Sequence, residues 1–514
     1  MTAQLKENFE KLKGKVLEKK QVLAEILRKR GKKSLYEYAK EYISVNLNNP
    51  IKKRREEFIG AFKNEVELRL GKDVAEKAAM QLENHYYVST VDHHGPVCHP
   101  FFINGNLLSA APFFEHSDPS LTSVIVLPCA NVSLNNSSFP RGLLFHSYAK
   151  GKITEHRIPI LPAKDRLSPV YNYRSYTKEE IERFKKAVDE KVRNQEVHPE
   201  EAEKLNQLID EIYMTPEALN AENYSVQSTI TNFKLWKKFF GPHHEEAPDL
   251  IYIEQEWIVA KLLIDFHLHK DTIVNHFLFD DNYSPLINKY FEGIQGAFER
   301  QDKYGTYMFW AMPPNAKYRI QLWKQDKYLV SEDGTYKIEL TPDAIKKGLE
   351  SKELIPGMML TYIVLSFYYG LKCLGGFSQV NYLTYMKDAY LRLQVDYQNY
   401  RSIEVCARAQ TKELGGDMVI AFMEGPNNEM IPATGLDLIL YGHKDTWPLL
   451  IEESKEIGVE EAINPLFPEF YTIVYPDTQR DPELLTVTAS DITKLTNLDK
   501  KIKACVKIKV HDNF

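Results

Sequence analysis

Between Tyr86 and Leu108 the chain reads YYVSTVDHHGPVCHPFFINGNLL, which crowds Asp92, His93, His94, Cys98 and His99 into one short turn. Imidazole titrates near neutrality, so these groups suit proton transfer, anion binding or metal ligation. In the first two roles His93 or His94 is the active ring, and Asp92 orients it. In the third, neighbouring side chains on extended backbone point to opposite sides, so His93 and His94 cannot both ligate. His94, Cys98 and His99 are then the set that suits Zn²⁺. A hydrogen-bonded structural turn is the remaining reading of the same residues.

Three elements have to position such chemistry. The β-prone run Tyr86–Val91 ends in a turn holding Gly95, Pro96 and Pro100, and α/β proteins place their sites outside the carboxyl ends of strands. Asn104 and Asn106 follow at once. A second buried strand is expected over Ser123–Ala130, leading into a polar loop to Gly142. There Asn131, Asn135 and Asn136 offer amides, and Arg141 either clamps a carboxylate or phosphate or pairs with a neighbouring acid. The third element is Gly375-Gly376 ahead of a helix that carries Gln379 and Tyr382. Its free N–H groups suit an anionic ligand group, and a tight packing turn is the plain alternative.

A chain of 514 residues suggests several domains or a core with insertions. Residues 1–82 show helical spacing and are expected as a helical N-terminal arm. Residues 83–395 hold the core, with a charged helical insertion at about 165–222 opened by the capping box Thr177/Glu180. Leu143–Ala149 and Lys152–Ile160 alternate around Lys150-Gly151 as a hairpin. Residues 396–514 are expected as a C-terminal α/β region with strands at Asp417–Met423, Leu436–Tyr441, Glu469–Tyr475 and Leu485–Thr488.

With 65 basic against 71 acidic residues the net charge is −6, which argues against a surface built for phosphate contacts, so no nucleic acid partner is expected. Five scattered cysteines without a C-x-x-C pair imply neither a disulfide framework nor a four-thiolate zinc site. A charged N-terminus without an apolar core is no signal peptide. The apolar run Leu354–Leu374, broken by Pro356, Gly357 and Gly370, reads as a buried core helix rather than a membrane span. A cytoplasmic protein is expected, and a homo-oligomer stays open. The phosphate-loop, dinucleotide, nucleophile-elbow and EF-hand patterns are absent.

Three of these pieces together resemble the cysteine ligase family of bacillithiol biosynthesis. Thr90-Val91-Asp92-His93-His94-Gly95-Pro96 stands where that family has a T-G-Q-Q-P-G turn. Val124–Asn131 resembles its second strand, and Leu354–Leu360 with Gly375–Tyr382 resembles its L-S-P-x-x-L-L and G-G-P-x-E-x-x-Y segments. The family's paired glutamines are His93 and His94 here, its Glu-Asp-His set is neutral around Cys129 and Asn131, and its glutamate after the glycine pair is Gln379. The resemblance implies an α/β fold with a Rossmann-like parallel-sheet core over roughly 83–395. It also implies a ligase or transferase that joins an amino acid or thiol to an acceptor. His93 and His94, with Asp92, would handle protons; Asn104, Asn106, Asn131, Asn135, Asn136, Arg141, Gly375, Gly376, Gln379 and Tyr382 would hold a small polar metabolite. A nucleotide and Zn²⁺ are the cofactors left open. The alternatives are a metal-dependent hydrolase built on His94, Cys98 and His99, or a non-catalytic binding protein on a decayed enzyme core.

Overall fold

The computed structural model describes residues 3–44, 51–115, 119–314 and 316–511. At its centre lies a parallel sheet of four short strands: β1 (Tyr87–Ser89), β2 (Ser123–Val126), β3 (Asp249–Tyr252) and β4 (Lys372–Leu374). Their spatial order is β3-β2-β1-β4. The chain steps outward from β1 to β3 and then returns to add β4 on the other flank of β1, pairing Val88 with Cys373 and Ser89 with Leu374. The order therefore reverses between β1 and β4, and a crevice opens there at the carboxyl ends.

Side-chain alternation covers both faces of this sheet. Tyr87, Val124, Val126, Leu250 and Tyr252 enter one apolar core, while Val88, Ile125, Ile251 and Cys373 enter the other. Burial on two faces explains why the strands read as continuous apolar runs rather than alternating ones.

The N-terminal helices supply part of each cover, so none of them projects as an arm. Helix Ala3–Lys19 buries Phe9, Leu12 and Val16 in the first core, and Phe9 meets Phe467 edge-on at 6.4 Å. Helix Lys52–Leu70 buries Phe58, Phe62 and Val66 in the second. The hairpin Gly142–Ala149/Lys152–Pro159 and the helical insertion, with its Thr177/Glu180 capping box, form as their sequence signals indicate. The run Leu354–Leu374 is not one helix. Pro356 and Gly357 end a strand, Met358–Tyr368 is helical with a π turn, and Gly370 at φ +69° turns the chain into β4.

Beyond residue 396 the expected strands are mostly helices. Of the four expected segments only Asp417–Met423 overlaps a strand, Phe422–Glu424, which forms a small sheet with Met430–Pro432 and Val506–Lys507. Gly435–Leu440 is a helix because Thr434 and Asp437 form a capping box, and Phe467–Val474 is one with proline in its first turn. Leu484–Thr486 is a 3₁₀ turn. Short apolar runs have no period long enough to tell helix from strand, and a cap is present only at Gly435–Leu440. Among the described residues no helix is long and apolar enough to cross a membrane.

Helix Pro100–Glu115 ties this last region to the sheet. Its Asn104 Oδ1 accepts Ile420 N at 2.7 Å and Ala421 N at 2.6 Å, and Gly105 lies so close to the 415 loop that a Cβ there would stand 2.6 Å from the Gly415 carbonyl oxygen. Backbone cannot retreat cheaply from such a clash. Gly105→Ala is therefore expected to lower unfolding free energy by about 2–3 kcal/mol in denaturant titration, while a substitution at the uncrowded Gly14 is expected to cost little.

Candidate functional site

The crevice between β1 and β4 is a cavity of about 440 Å³. Segments just beyond all four strand ends line it: Val91 and His93 after β1, Cys129 and Asn131 after β2, Gln255 and Glu256 after β3, Gly376 to Tyr382 after β4. Trp310 and Arg319 add a side wall, and Asp417 and Phe470 come from the C-terminal region.

Strand pairing decides which of the titratable residues reach it. Beyond β1 the backbone stays extended alongside the segment after β2, with Cys129 N donating to the Asp92 carbonyl and His94 N to the Cys129 carbonyl, both at 2.8 Å. Alternation then turns Val91 and His93 into the cavity and Asp92 and His94 away from it. His93 Nδ1 lies 2.9 Å from Asn136 Oδ1, which also accepts the backbone N–H of Ser138 at 3.1 Å. An oxygen already receiving an N–H is an acceptor, so Nδ1 carries the proton and Nε2 carries the lone pair. Burial, against the Asn136 bond, lowers the His93 pKa, and burial takes His99 down to about 4. Both cavity imidazoles are neutral at pH 7.

The buried side of the same turn is a charge network. Glu254, at the end of β3, accepts both Arg69 nitrogens, at 2.6 and 3.0 Å, with Glu65 a further 3.6 Å from Arg69 and bonded to Trp257 Nε1. Burial works against the Glu254 carboxylate, but Arg69 and His94 together hold it well below its ordinary range. His94 Nε2 stands 3.6 Å from Glu254, and burial keeps the ring neutral. Asp92 accepts Asn106 Nδ2 at 2.8 Å, and burial pushes its carboxyl up to about 7.

The cavity itself is rich in acceptors. Glu256 takes Ala130 N at 2.9 Å, Asn131 N at 3.0 Å and the Cys129 thiol at 3.2 Å, and burial raises its pKa. Burial and Glu256 together hold the Cys129 thiol well above its ordinary value, so it is no nucleophile. Asp417 accepts Phe377 N at 2.6 Å and is pushed by burial to about 6. The one guanidinium of the lining, Arg319, lies 4.2 Å over Trp310 and gives Nη1 to the Asn131 carbonyl and side-chain oxygen. Gln379 Nε2 donates to Thr90 Oγ1 at 2.5 Å, which in turn bonds the Leu374 carbonyl, so the residues after β4 are locked to the end of β1.

No family model matches the chain, and no curated protein is similar to it.

Of the residues singled out in the sequence, the structure brings His93, His99, Asn131, Gly376, Gln379 and Tyr382 together around the cavity. Asn136 serves it indirectly through His93. His94 and Asp92 do not reach it, for the reason of alternation just given. The proposed metal set is not assembled: His94, Cys98 and His99 do not bring three ligand atoms within 4.8 Å of one another, and His94 is turned to the Glu254 side. Among the described residues only His198, Glu200 and His511, elsewhere in the molecule, place three metal-ligand atoms within 4.8 Å of one another. Asn104 and Asn106 are structural, bonding the 420 backbone and Asp92. Asn135 is exposed and accepts Ser133 Oγ, and Arg141 packs 5.3 Å from the Phe139 ring beside the Leu161 carbonyl. Gly375 acts through its backbone, bridging to Leu414. Sequence reasoning missed Gln255, Glu256, Arg319 and Asp417. The first two could have been found by extending the strand-end rule to Leu250–Ile253; nothing local marks the others.

The network makes two measurable demands. Arg69→Met leaves Glu254 buried without its partner and is expected to cost about 3–5 kcal/mol in denaturant unfolding. Asp92 has a folded pKa above its unfolded value, so the native state binds the extra proton and stability falls as pH rises from about 4 to about 7. Asp92→Asn is expected to flatten that slope and to gain roughly 4 kcal/mol on the wild type between pH 4 and pH 8, read from paired unfolding curves.

Proposed function

We propose that the chain is an enzyme of small-metabolite chemistry on a Rossmann-like core, a ligase or transferase that joins an amino acid or thiol to an acceptor. The strand order β3-β2-β1-β4, with the cavity at the reversal, supports the Rossmann-like reading. The segments that resemble the bacillithiol cysteine ligases, 90–96, 124–131 and 375–382, contribute cavity residues from each of the three.

The observation that carries the proposal is His93. A neutral imidazole whose Nδ1–H is anchored to Asn136 keeps Nε2 as a base in a half-open cavity. In the reaction the attacking nitrogen or sulfur forms its bond to the electrophilic carbon, the leaving group departs from that carbon, and Nε2 takes the nucleophile's proton. Gln379 and Tyr382 hold the substrate at the β4 side, and aromatic walls exclude water from the nucleophile.

Thermal-shift screening against amino acids, thiols, nucleotides and sugar phosphates identifies ligands, because a binder raises the melting temperature by mass action. His93→Asn keeps a donor for Asn136 and removes the basic nitrogen. It is expected to bind those ligands within a few fold of wild type and to lose about 10²- to 10⁴-fold in turnover of whichever pair is joined. Full turnover by the variant would remove His93 as the base, and ligand binding without any turnover in the wild type would favour the non-catalytic reading.

A further inference from the structure

Arg319 is a cation that the fold positions without pairing. It lines the cavity, its guanidinium lies 4.2 Å over the Trp310 ring, and Nη1 is given to both Asn131 oxygens, the side-chain one at 2.8 Å. Nε and Nη2 donate to nothing and are not sealed into the wall. Arg69 is the contrast, since its two end nitrogens fork onto Glu254. Among the described residues Arg319 has no such carboxylate, although burial works against its charge. A guanidinium drawn out of water calls for an anion, and its free edge presents two parallel N–H bonds that match the two oxygens of a carboxylate.

The acids of the lining are already engaged elsewhere. Glu256 takes three donors from the 129–131 segment. Asp417 accepts Phe377 N, so the protein's own carboxyl fills the helix start after Gly375-Gly376. Glu469 stands at the rim, where burial and Asp417 push it to about 7. The cations nearby are engaged too. Arg157, close to His99, gives Nε to Glu155 and Nη1 to the Ser137 carbonyl, and Lys20, behind Phe377, bonds Gln295. Arg319 thus offers the open charged edge, and Gln255 Nε2 adds a neutral donor in the same lining.

Resting on the small-metabolite reading above, we infer that the cavity holds its ligand by a carboxylate, received bidentately by Nε and Nη2 of Arg319. The ligand's apolar or aromatic part then lies among Phe101, Phe102 and Tyr382. Asn131, which fixes Arg319, is two residues beyond Cys129, the bridge partner of His93. The acid group is therefore anchored at the strand end next to the one that carries the base.

Ligand-observed NMR titration of the full chain tests this with phenylacetate and L-phenylalanine, each against its primary amide, and with inorganic phosphate. Both acids are expected to bind, and both amides at least about tenfold more weakly, because an amide turns an NH₂ toward a donor. Arg319→Lys keeps the charge without the fork and is expected to weaken acid binding about tenfold. Arg319→Ala is expected to weaken it about a hundredfold, with recovery on adding methylguanidinium, which separates a lost contact from a damaged fold. Arg319→Lys decides alone if Arg319→Ala does not fold. Amides that bind as well as the acids, acid binding indifferent to these variants, or phosphate bound in preference to the acids overturns the carboxylate assignment. If the acids fail while another class in the melting-temperature screen binds, the small-metabolite reading stands without it. If nothing in either set binds, both fall together.

Discussion

The contact on which everything else hangs is the pairing of β4 along β1. Residues 87–89 and 372–374 are some 285 positions apart in the chain, so closing that loop is entropically costly and must be offset by what it buries. The offset is visible: Val88 and Cys373 lie in one apolar core, Tyr87 and Leu374 in the other. Once the strands pair in parallel, their carboxyl ends stand side by side and the chain leaves them in different directions. A hollow at that point follows from the topology. The Gln379–Thr90–Leu374 chain of hydrogen bonds then ties the two exits together.

One turn thus serves two environments. On its cavity side His93 meets a hollow lined by Glu256, Asp417 and Arg319; on its other side His94 stands 3.6 Å from the Arg69–Glu254 fork, and Asp92 is buried against Asn106. Buried charge of this kind contributes little net stability, because desolvation cancels most of the attraction. Its physical effect is on geometry. Arg69 comes from a helix on one face of the sheet, Glu254 from the end of β3 and His94 from the turn after β1, so the network fixes the strand ends relative to one another. That in turn sets where His93 and Gln255 stand.

Burial also sets the protonation pattern of the cavity. It holds both imidazoles in their neutral form and lifts the Glu256 and Asp417 carboxyls, while Glu254, equally buried, is held ionised by its arginine. Identical side chains are therefore shifted in opposite directions according to whether a cation is packed against them. A base and a set of acceptors result, without any group of unusual reactivity.

Much of this was legible in the residues. The strand–turn after Tyr86, the polar loop after Ser123–Ala130 and the glycine pair before Gln379 each mark a strand end, because backbone conformation and turn chemistry are local matters. Thr177 and Glu180 announced their helix for the same reason. Local patterns did not decide which imidazole faces the cavity, since His93 and His94 differ only in strand phase, and phase is set by the partner strand. Nor could they place Arg319 or Asp417, whose neighbours in the site are 188 and 40 residues away. They also misread 435–440 and 467–474, where short apolar runs fit either period until packing, and at 435–440 a cap, chose the helix. The order of chemistry along the chain was the sequence's own; which atoms share one hollow, and in what charge state, was decided only when distant segments packed and water was driven from between them.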